Sequence, residues 1–285
     1  MKPADDSGPV WLITGCSKGL GRALAEHVLA QGHRCVVTAR DAASVLPVCS
    51  PYPATQALAL PLDVTRPAQI ADALQAALAA FGAIDVLVNN AGFGLNAGVE
   101  DVDEPAVRHL FETNFFGLAA MIRAVLPSMR RRRKGHIVNV SSISGRVASP
   151  GSAYYAATKF AVEGLSQGLA KEVEPFGIRV SVIEPGPLRT DFQGGSMQRS
   201  SHPIADYAAT VGQRHARLRA THGRQEGDPA RAATVIFGAV TSAAPPFQLV
   251  LGRRAYDMAY AGLRQQRDEL ETQRELARSI DFDAG

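Results

Sequence analysis

TGCSKGLG, residues 14–21, is the stretch on which the fold turns. A short apolar, β-branched run, VWLIT (10–14), leads into it, and a helical run, ALAEHVLAQG (23–32), leads out. Gly15 can turn tightly, Gly19 has no side chain to keep a ligand off the backbone, and Gly21 lets the helix approach the strand closely. The first turn of a helix also offers free N–H groups and a partial positive charge to an anion. A glycine loop in this strand–helix setting is where a dinucleotide-binding fold holds a pyrophosphate.

Outward from this loop the same rhythm repeats. CVVTA (35–39), QALAL (56–60), DVLVNN (85–90), HIVNVSS (136–142), RVSVIEP (179–185) and FQLVLG (247–252) read as strands. Residues 70–82, 105–133 and 153–174 read as helices, with Gly82 as a stop and Pro105 in a first turn. The strands are continuous apolar runs rather than alternations, as expected of a parallel sheet covered on both faces. The pattern predicts an α/β chain: one Rossmann-type domain over 1–285, with about seven parallel strands doubly wound by helices. Residues 191–227 break the rhythm and are too long for an ordinary loop, so they are expected to be functional or partly disordered. Residues 253–285 form a helical extension whose LRQQRDELETQRELARSI is amphipathic.

Composition narrows the function classes. Of 285 residues, 46% are apolar and 20% charged, the make-up of a soluble globular protein. A net charge of +3 is too small to argue for nucleic acid or a membrane surface. RRRRK (130–134) ends a helix just before Gly135, where solvated cations complement the helix dipole, so no nucleic-acid partner is expected. Cys16, Cys35 and Cys49 lack CxxC spacing, so neither metal nor disulfide is expected, and a reducing cytoplasm is the expected location. MKPADDSGP holds no apolar core of a leader, and the absence of a run of about 18 apolar residues predicts no membrane span.

Helix geometry separates the two tyrosines of YYAATK (154–159). A helix turns about 100° per residue, so Tyr155 and Lys159 share a face while Tyr154 and Lys159 diverge by about 140°. A phenol titrates at about pH 10 and needs a neighbouring cation to trade its proton at neutral pH. Lys159 is therefore expected to lower the pKa of Tyr155.

TGCSKGLG, NNAG at 89–92, YYAATK and PGPLRT at 185–190 stand in one order. In these motifs, from about Val10 to Phe192, the chain resembles the short-chain dehydrogenase/reductase family. TGCSKGLG, NAGFG and IEPGPLRTDF are similar to the branch holding 17β-hydroxysteroid dehydrogenase type 1 and the retinol dehydrogenases. The resemblance implies hydride transfer between a nicotinamide and an apolar ketone, aldehyde or secondary alcohol. It makes Ser142, thirteen residues before Tyr155, the group that orients the substrate oxygen, with Ser141 the weaker candidate. Tyr155 would exchange the proton, Lys159 would also bind the nicotinamide ribose, and Asn114 in FETNFFG would hold a water for proton relay. Gly15, Ser17, Lys18, Gly19, Leu20 and Gly21 would cradle the phosphates, and Asp63 would hold the adenine. Asn90, Ala91 and Gly92 would border the cofactor, with Asn90 tying strand four to its neighbours. Pro185 and Gly186 would line the nicotinamide, and Thr190 would bond its carboxamide.

The family's acidic residue after strand two, which favours NAD, corresponds here to Ala39. Arg40 follows it, and Lys18 stands in the glycine loop; both suit a 2′-phosphate. NADP(H) is therefore expected over NAD(H), with Asp41 as a competitor for Arg40.

In the family the segment after Thr190 folds as a lid. From Phe192 on it carries Arg199, Arg214, Arg217, Arg219 and Arg224 against Asp206 and Glu226. This reads as a solvated, mobile lid or as attraction of an anionic substrate. Phe93, Leu95, Met197 and Tyr207 would make an apolar pocket. The helices over 105–133 and 153–174 pack between subunits in many members, implying a homodimer or homotetramer. The competing reading is a catalytically silent NADP(H)-sensing regulator, which would be expected to have lost Tyr155 or Lys159.

Overall fold

The computed structural model describes residues 8–282; the polar N-terminal stretch and the end of the C-terminal extension lie outside them. The chain runs through β1 (Val10–Ile13), α1 (Gly19–Ala30), β2 (Arg34–Ala39), α2 (Leu46–Cys49), β3 (Ala57–Pro61), α3 (Pro67–Phe81), β4 (Val86–Asn89) and β5 (Gly94–Asn96). It continues through α4 (Glu104–Phe111), α5 (Leu118–Arg132), β6 (Gly135–Val140), α6 (Ala153–Val173), β7 (Ile178–Pro185), β8 (Met197–Arg199) and α7 (Gln213–Thr221). It ends with α8 (Pro229–Thr241), β9 (Gln248–Leu251), α9 (Arg253–Thr272) and α10 (Arg274–Arg278).

Seven strands form one sheet in the order β3-β2-β1-β4-β6-β7-β9. Every pair in it is parallel. Side chains of one strand serve both layers, as the period of two requires. Trp11 and Ile13 enter the core under α1 and α8, whereas Val10 and Leu12 enter the core under α3, α5 and α6. Trp11 is fully buried, donates from Nε1 to His33 Nδ1 at 3.0 Å and stacks on Phe237 at 5.7 Å. The winding direction reverses between β1 and β4, so the loops after these strands diverge and open a crevice.

Local chemistry sets the helix ends. Gly82 closes α3 at φ 76°, and Asp228 caps α8 by accepting from Ala230 N at 2.8 Å. The helix expected over 105–133 is instead α4 and α5 joined by a π-helical turn, Glu112–Gly117. By length and composition this Glu104–Arg132 run could cross a bilayer, although no run of apolar residues announces it. Its Leu110, Leu118, Met121, Ile122, Val125 and Met129 are packed in the protein core.

The RRRRK run is not simply solvated. Arg132 turns inward, donating from Nη1 to Asp85 Oδ1 at 2.7 Å, and Asp85 Oδ2 accepts from Val10 N at 3.1 Å. Arg133 takes φ 50°, binds the Pro175 carbonyl and lies 5.7 Å over Phe176. Two of the arginines thus tie the end of α5 to neighbouring loops.

The segment 191–227, expected to form a lid, is folded. It holds β8, the helical turns Ala205–Tyr207 and Ala208–Gly212, and α7. β8 pairs in parallel with β5 (Gly94↔Met197, Asn96↔Arg199), a two-stranded ribbon with no periodic signal in three-residue strands. α9 docks through Ala255 and Ala259 onto Ile143. The approach is close at Gly186, where a Cβ would stand 3.0 Å from that of Ala255.

Candidate active site

The glycine loop and the loop after β4 are locked together across the crevice. Thr14 Oγ1 accepts from the backbone N–H of Asn90 and of Ala91, each at 3.0 Å. Asn90 Nδ2 donates to the carbonyls of Thr14 (2.9 Å) and Gly15 (3.0 Å), so this side chain braces the loop as expected. The bracing explains Gly21: a Cβ there would stand 2.3 Å from Asn90 Nδ2 and 2.6 Å from the Gly15 carbonyl oxygen. Gly15 itself needs φ 73°.

One cavity of about 870 Å³ runs from this loop to the lid. All the site residues expected from sequence face it except Gly21 and Asn114. Gly21 packs behind the loop for the reason just given. Asn114 lies behind Gly92 in the π-helical turn: its Oδ1 accepts from Phe93 N at 3.0 Å, and its Nδ2 donates to Phe93 O at 2.9 Å and to Thr158 Oγ1 at 3.4 Å.

The phosphate end fits a dinucleotide. Lys18 precedes α1 without making a side-chain cap, and no acid stands in the first helical turn. The N–H groups there are left to an anion, and Ser17, Gly19 and Leu20 border the cavity at that point. At the end of the cavity expected to take the adenosine, Ala39, Arg40 and Asp63 line the wall. Asp41 does not compete for Arg40; it accepts from Ala43 N at 2.9 Å and caps the following turn. Asp63 Oδ1 accepts from Thr65 N (3.0 Å) and Oγ1 (2.7 Å). Burial would raise the Asp63 pKa, but these bonds and the charges of Arg40 and Arg66 hold it below the ordinary value. Lys18 departs from expectation: its ammonium is paired with Asp191 at the start of the lid, bridging the crevice.

The reaction end gathers on β6 and α6. Tyr155 and Lys159 share a helix face, and Lys159 Nζ lies 5.7 Å from the Tyr155 ring centroid. Lys159 Nζ donates to the Val140 carbonyl at 2.9 Å, and burial holds its pKa down at about 8, the Glu163 charge opposing. Burial pushes the Tyr155 phenol up to about 12; the Ser142 hydroxyl and the Arg214 charge pull it down. The lysine is not what sets this value, contrary to the sequence expectation: it sits over the ring and spends a hydrogen bond on Val140, so desolvation prevails. Ser142 Oγ accepts from Ser144 N at 3.1 Å and caps a short turn. Ser141 also borders the cavity, its buried Oγ unpartnered among the described residues. Thr190 Oγ1 accepts from Phe192 N at 3.2 Å.

Tyr154 leaves the site, donating to the Val99 carbonyl at 3.1 Å. Tyr207, expected in the pocket, is exposed and donates to Glu100 Oε1 at 2.8 Å. Phe93, Leu95 and Met197 do line the cavity. Sequence reasoning missed Phe192, whose ring is 5.9 Å from that of Tyr155, and Arg254 and Met258 of α9. No local signal places α9 over the cavity; its docking on Ile143 and at Gly186 does. Among the described residues no cluster suited to a metal ion occurs, and the three cysteines are buried and unbridged.

The short chain dehydrogenase profile matches residues 9–200. The oxidoreductase BOA17 of Botryotinia fuckeliana is 38% identical, over 89% of this chain and 91% of its own. Retinol dehydrogenase 8 of Bos taurus is 41% identical, over 67% of this chain and 62% of its own. A crystal structure of a short-chain dehydrogenase from Streptomyces avermitilis superposes with TM-score 0.91 and 40% identity, over 98% of this chain and 100% of that one. Similar structures carry either nucleotide: a 3-ketoacyl-(acyl-carrier-protein) reductase from Brucella melitensis with NADH (27% identity, TM-score 0.73, 87% of this chain and 99% of that one) and a metagenomic oxidoreductase with NADP (27%, 0.67, 86% and 97%). With fold, cavity and relatives in agreement, the chain belongs to the short-chain dehydrogenase/reductase family as an NAD(P)-dependent dehydrogenase or reductase related to the retinol dehydrogenase branch.

Proposed function

We propose that the protein is an NADP(H)-preferring carbonyl reductase or alcohol dehydrogenase acting on a largely apolar ketone, aldehyde or secondary alcohol. The observation that carries this reading is the single cavity bordered by both the glycine loop and Ser142, Tyr155 and Lys159. A regulator that only senses the nucleotide would have no need of that juxtaposition.

Gly15, Ser17, Gly19 and Leu20 hold the pyrophosphate with backbone N–H groups, and Asp63 borders the adenine. Arg40, free of Asp41, meets the 2′-phosphate; this supports NADP(H) over NAD(H). Pro185, Gly186 and Thr190 fix the nicotinamide end. The bound cofactor supplies the hydride in reduction and takes it up in oxidation. Ser142 donates a hydrogen bond to the substrate oxygen, where negative charge develops. Tyr155 gives that oxygen its proton, or removes it in the reverse direction. Its high pKa in the free protein keeps the phenol protonated and ready to donate. Lys159 would bind the nicotinamide ribose, and its charge, 5.7 Å from the Tyr155 ring centroid, would help stabilise the phenolate. Phe93, Leu95, Phe192 and Met197 shield the reacting carbon from water.

The test is optical: NADPH and NADH oxidation over a panel of ketones, quinones, steroids and aldehydes. Turnover with a preference for NADPH is expected. Cofactor binding without turnover across the panel would favour the sensor instead.

A further inference from the structure

The cavity has a second polar corner beyond Tyr155. Arg214 and Arg217 reach it from α7 in the lid, and Arg254 from the first turn of α9. The Arg214 stem lies against the bend before α6, its Cδ 3.7 Å from where a Cβ would stand on Gly151. Asn96, at the end of β5, reaches the same glycine, its Oδ1 2.6 Å from that position. The corner adjoins Tyr155 closely enough for the Arg214 charge to act on the phenol.

The polar groups here lack partners. Asn96 is 3% exposed, yet neither its Oδ1 nor its Nδ2 makes a hydrogen bond among the described residues. Arg214 Nε is likewise buried and unpaired. No ion pair among the described residues engages Arg214, Arg217, Arg254 or Glu226 of the same wall. The other acids of the wall are committed, Asp191 to Lys18 and Asp63 to Thr65. Buried donors without acceptors cost free energy, so such an arrangement is stable only if a ligand or water supplies the acceptors.

We propose that this corner binds the carboxylate of an otherwise apolar carbonyl or alcohol substrate, with Arg214 and Asn96 donating to it and Arg217 and Arg254 strengthening the field. A guanidinium fork matches a planar carboxylate. The apolar wall, Phe93, Leu95, Phe192, Met197, Leu218 and Met258, takes the carbon skeleton. The inference rests on the hydride-transfer reading and names its substrate class: oxo- or hydroxy-carboxylates with an apolar body.

Two measurements on the full chain test it. In the first, NADPH oxidation is followed with straight-chain oxo acids of varied carbonyl-to-carboxylate spacing and with their methyl esters. The best acid is expected to exceed its ester in kcat/KM by roughly 10- to 100-fold, the span of a charge-assisted hydrogen bond. In Arg214→Gln that ratio is expected to collapse toward parity, and in the exposed-site variant Arg254→Gln to fall by a smaller factor. Wild-type enzyme that uses acid and ester equally overturns the proposal. So does an Arg214→Gln enzyme that loses both equally with a displaced pH profile, because Arg214 would then act on Tyr155. In the second, calorimetry follows decanoate binding with and without NADPH. Wild type should bind decanoate about tenfold or more tightly than either arginine variant, and absence of binding overturns the subsite. Arginine-dependent decanoate binding with no turnover of any carbonyl would sink the hydride reading alone. Turnover of esters with no preference for acids would sink the subsite alone.

Discussion

The Lys159 ammonium donates to the Val140 carbonyl at 2.9 Å while standing 5.7 Å from the centroid of the Tyr155 ring. The lysine is thus held by strand β6, not by the phenol, and burial keeps its pKa near 8. Its charged form predominates below that pH and is lost as pH rises. kcat/KM for NADPH, which reports the free enzyme, is expected to be level to about pH 8 and to fall about tenfold per unit above it. A profile level to pH 10 would show that Lys159 charge is not needed to engage the cofactor.

Cofactor preference should reside in Arg40. Arg40→Asp is expected to reverse the NADPH-over-NADH ratio of kcat/KM by at least about tenfold, because a like-charge repulsion then replaces a charge-assisted hydrogen bond to the 2′-phosphate. Steady-state kinetics with both nucleotides checks this; an unchanged ratio would place the 2′-phosphate site elsewhere.

The sheet and the cofactor loop were legible because their signals are local. Continuous apolar strands, Gly15 and the Tyr155–Lys159 register each follow from backbone geometry within one turn or one strand. What was not legible arises from distant contacts. The β5–β8 ribbon joins strands about a hundred residues apart in the chain. Arg254 and Met258 reach the cavity because α9 docks onto Ile143 and closes in at Gly186. The Lys18–Asp191 pair links the cofactor loop to the lid, and Phe93 grips Asn114 from another element. The high pKa of Tyr155 reflects burial, which spacing to Lys159 does not reveal.

Asp85 joins β1 to the end of α5 and carries a pKa below the ordinary 3.8: burial raises it, but bonds from Val10 N and Arg132 and the charges of Lys134 and Arg132 prevail. A depressed carboxylate stabilises the fold above its unfolded pKa and loses that contribution as pH falls through its folded value. Asp85→Asn is expected to cost about 1–3 kcal/mol in urea unfolding at pH 7. The gap to wild type should narrow below about pH 4. A gap independent of pH would mean the charge contributes nothing.

Gly21→Ala should be destabilising although it lies in a helix, where alanine is normally the better residue. Its Cβ would stand 2.3 Å from Asn90 Nδ2 and 2.6 Å from the Gly15 carbonyl. A loss of about 1–3 kcal/mol is expected, lowering Tm by several degrees in calorimetry. A neutral or raised Tm would contradict the close packing of loop and helix.

The central claim is that Tyr155, and not its neighbour, trades the proton. Tyr155→Phe is expected to lower kcat for NADPH-dependent carbonyl reduction by about 10²- to 10⁴-fold while NADPH still binds in a fluorescence titration. Tyr154→Phe removes only the bond to Val99 and should change kcat less than about twofold. Full activity in Tyr155→Phe, or collapse in Tyr154→Phe, would contradict the account.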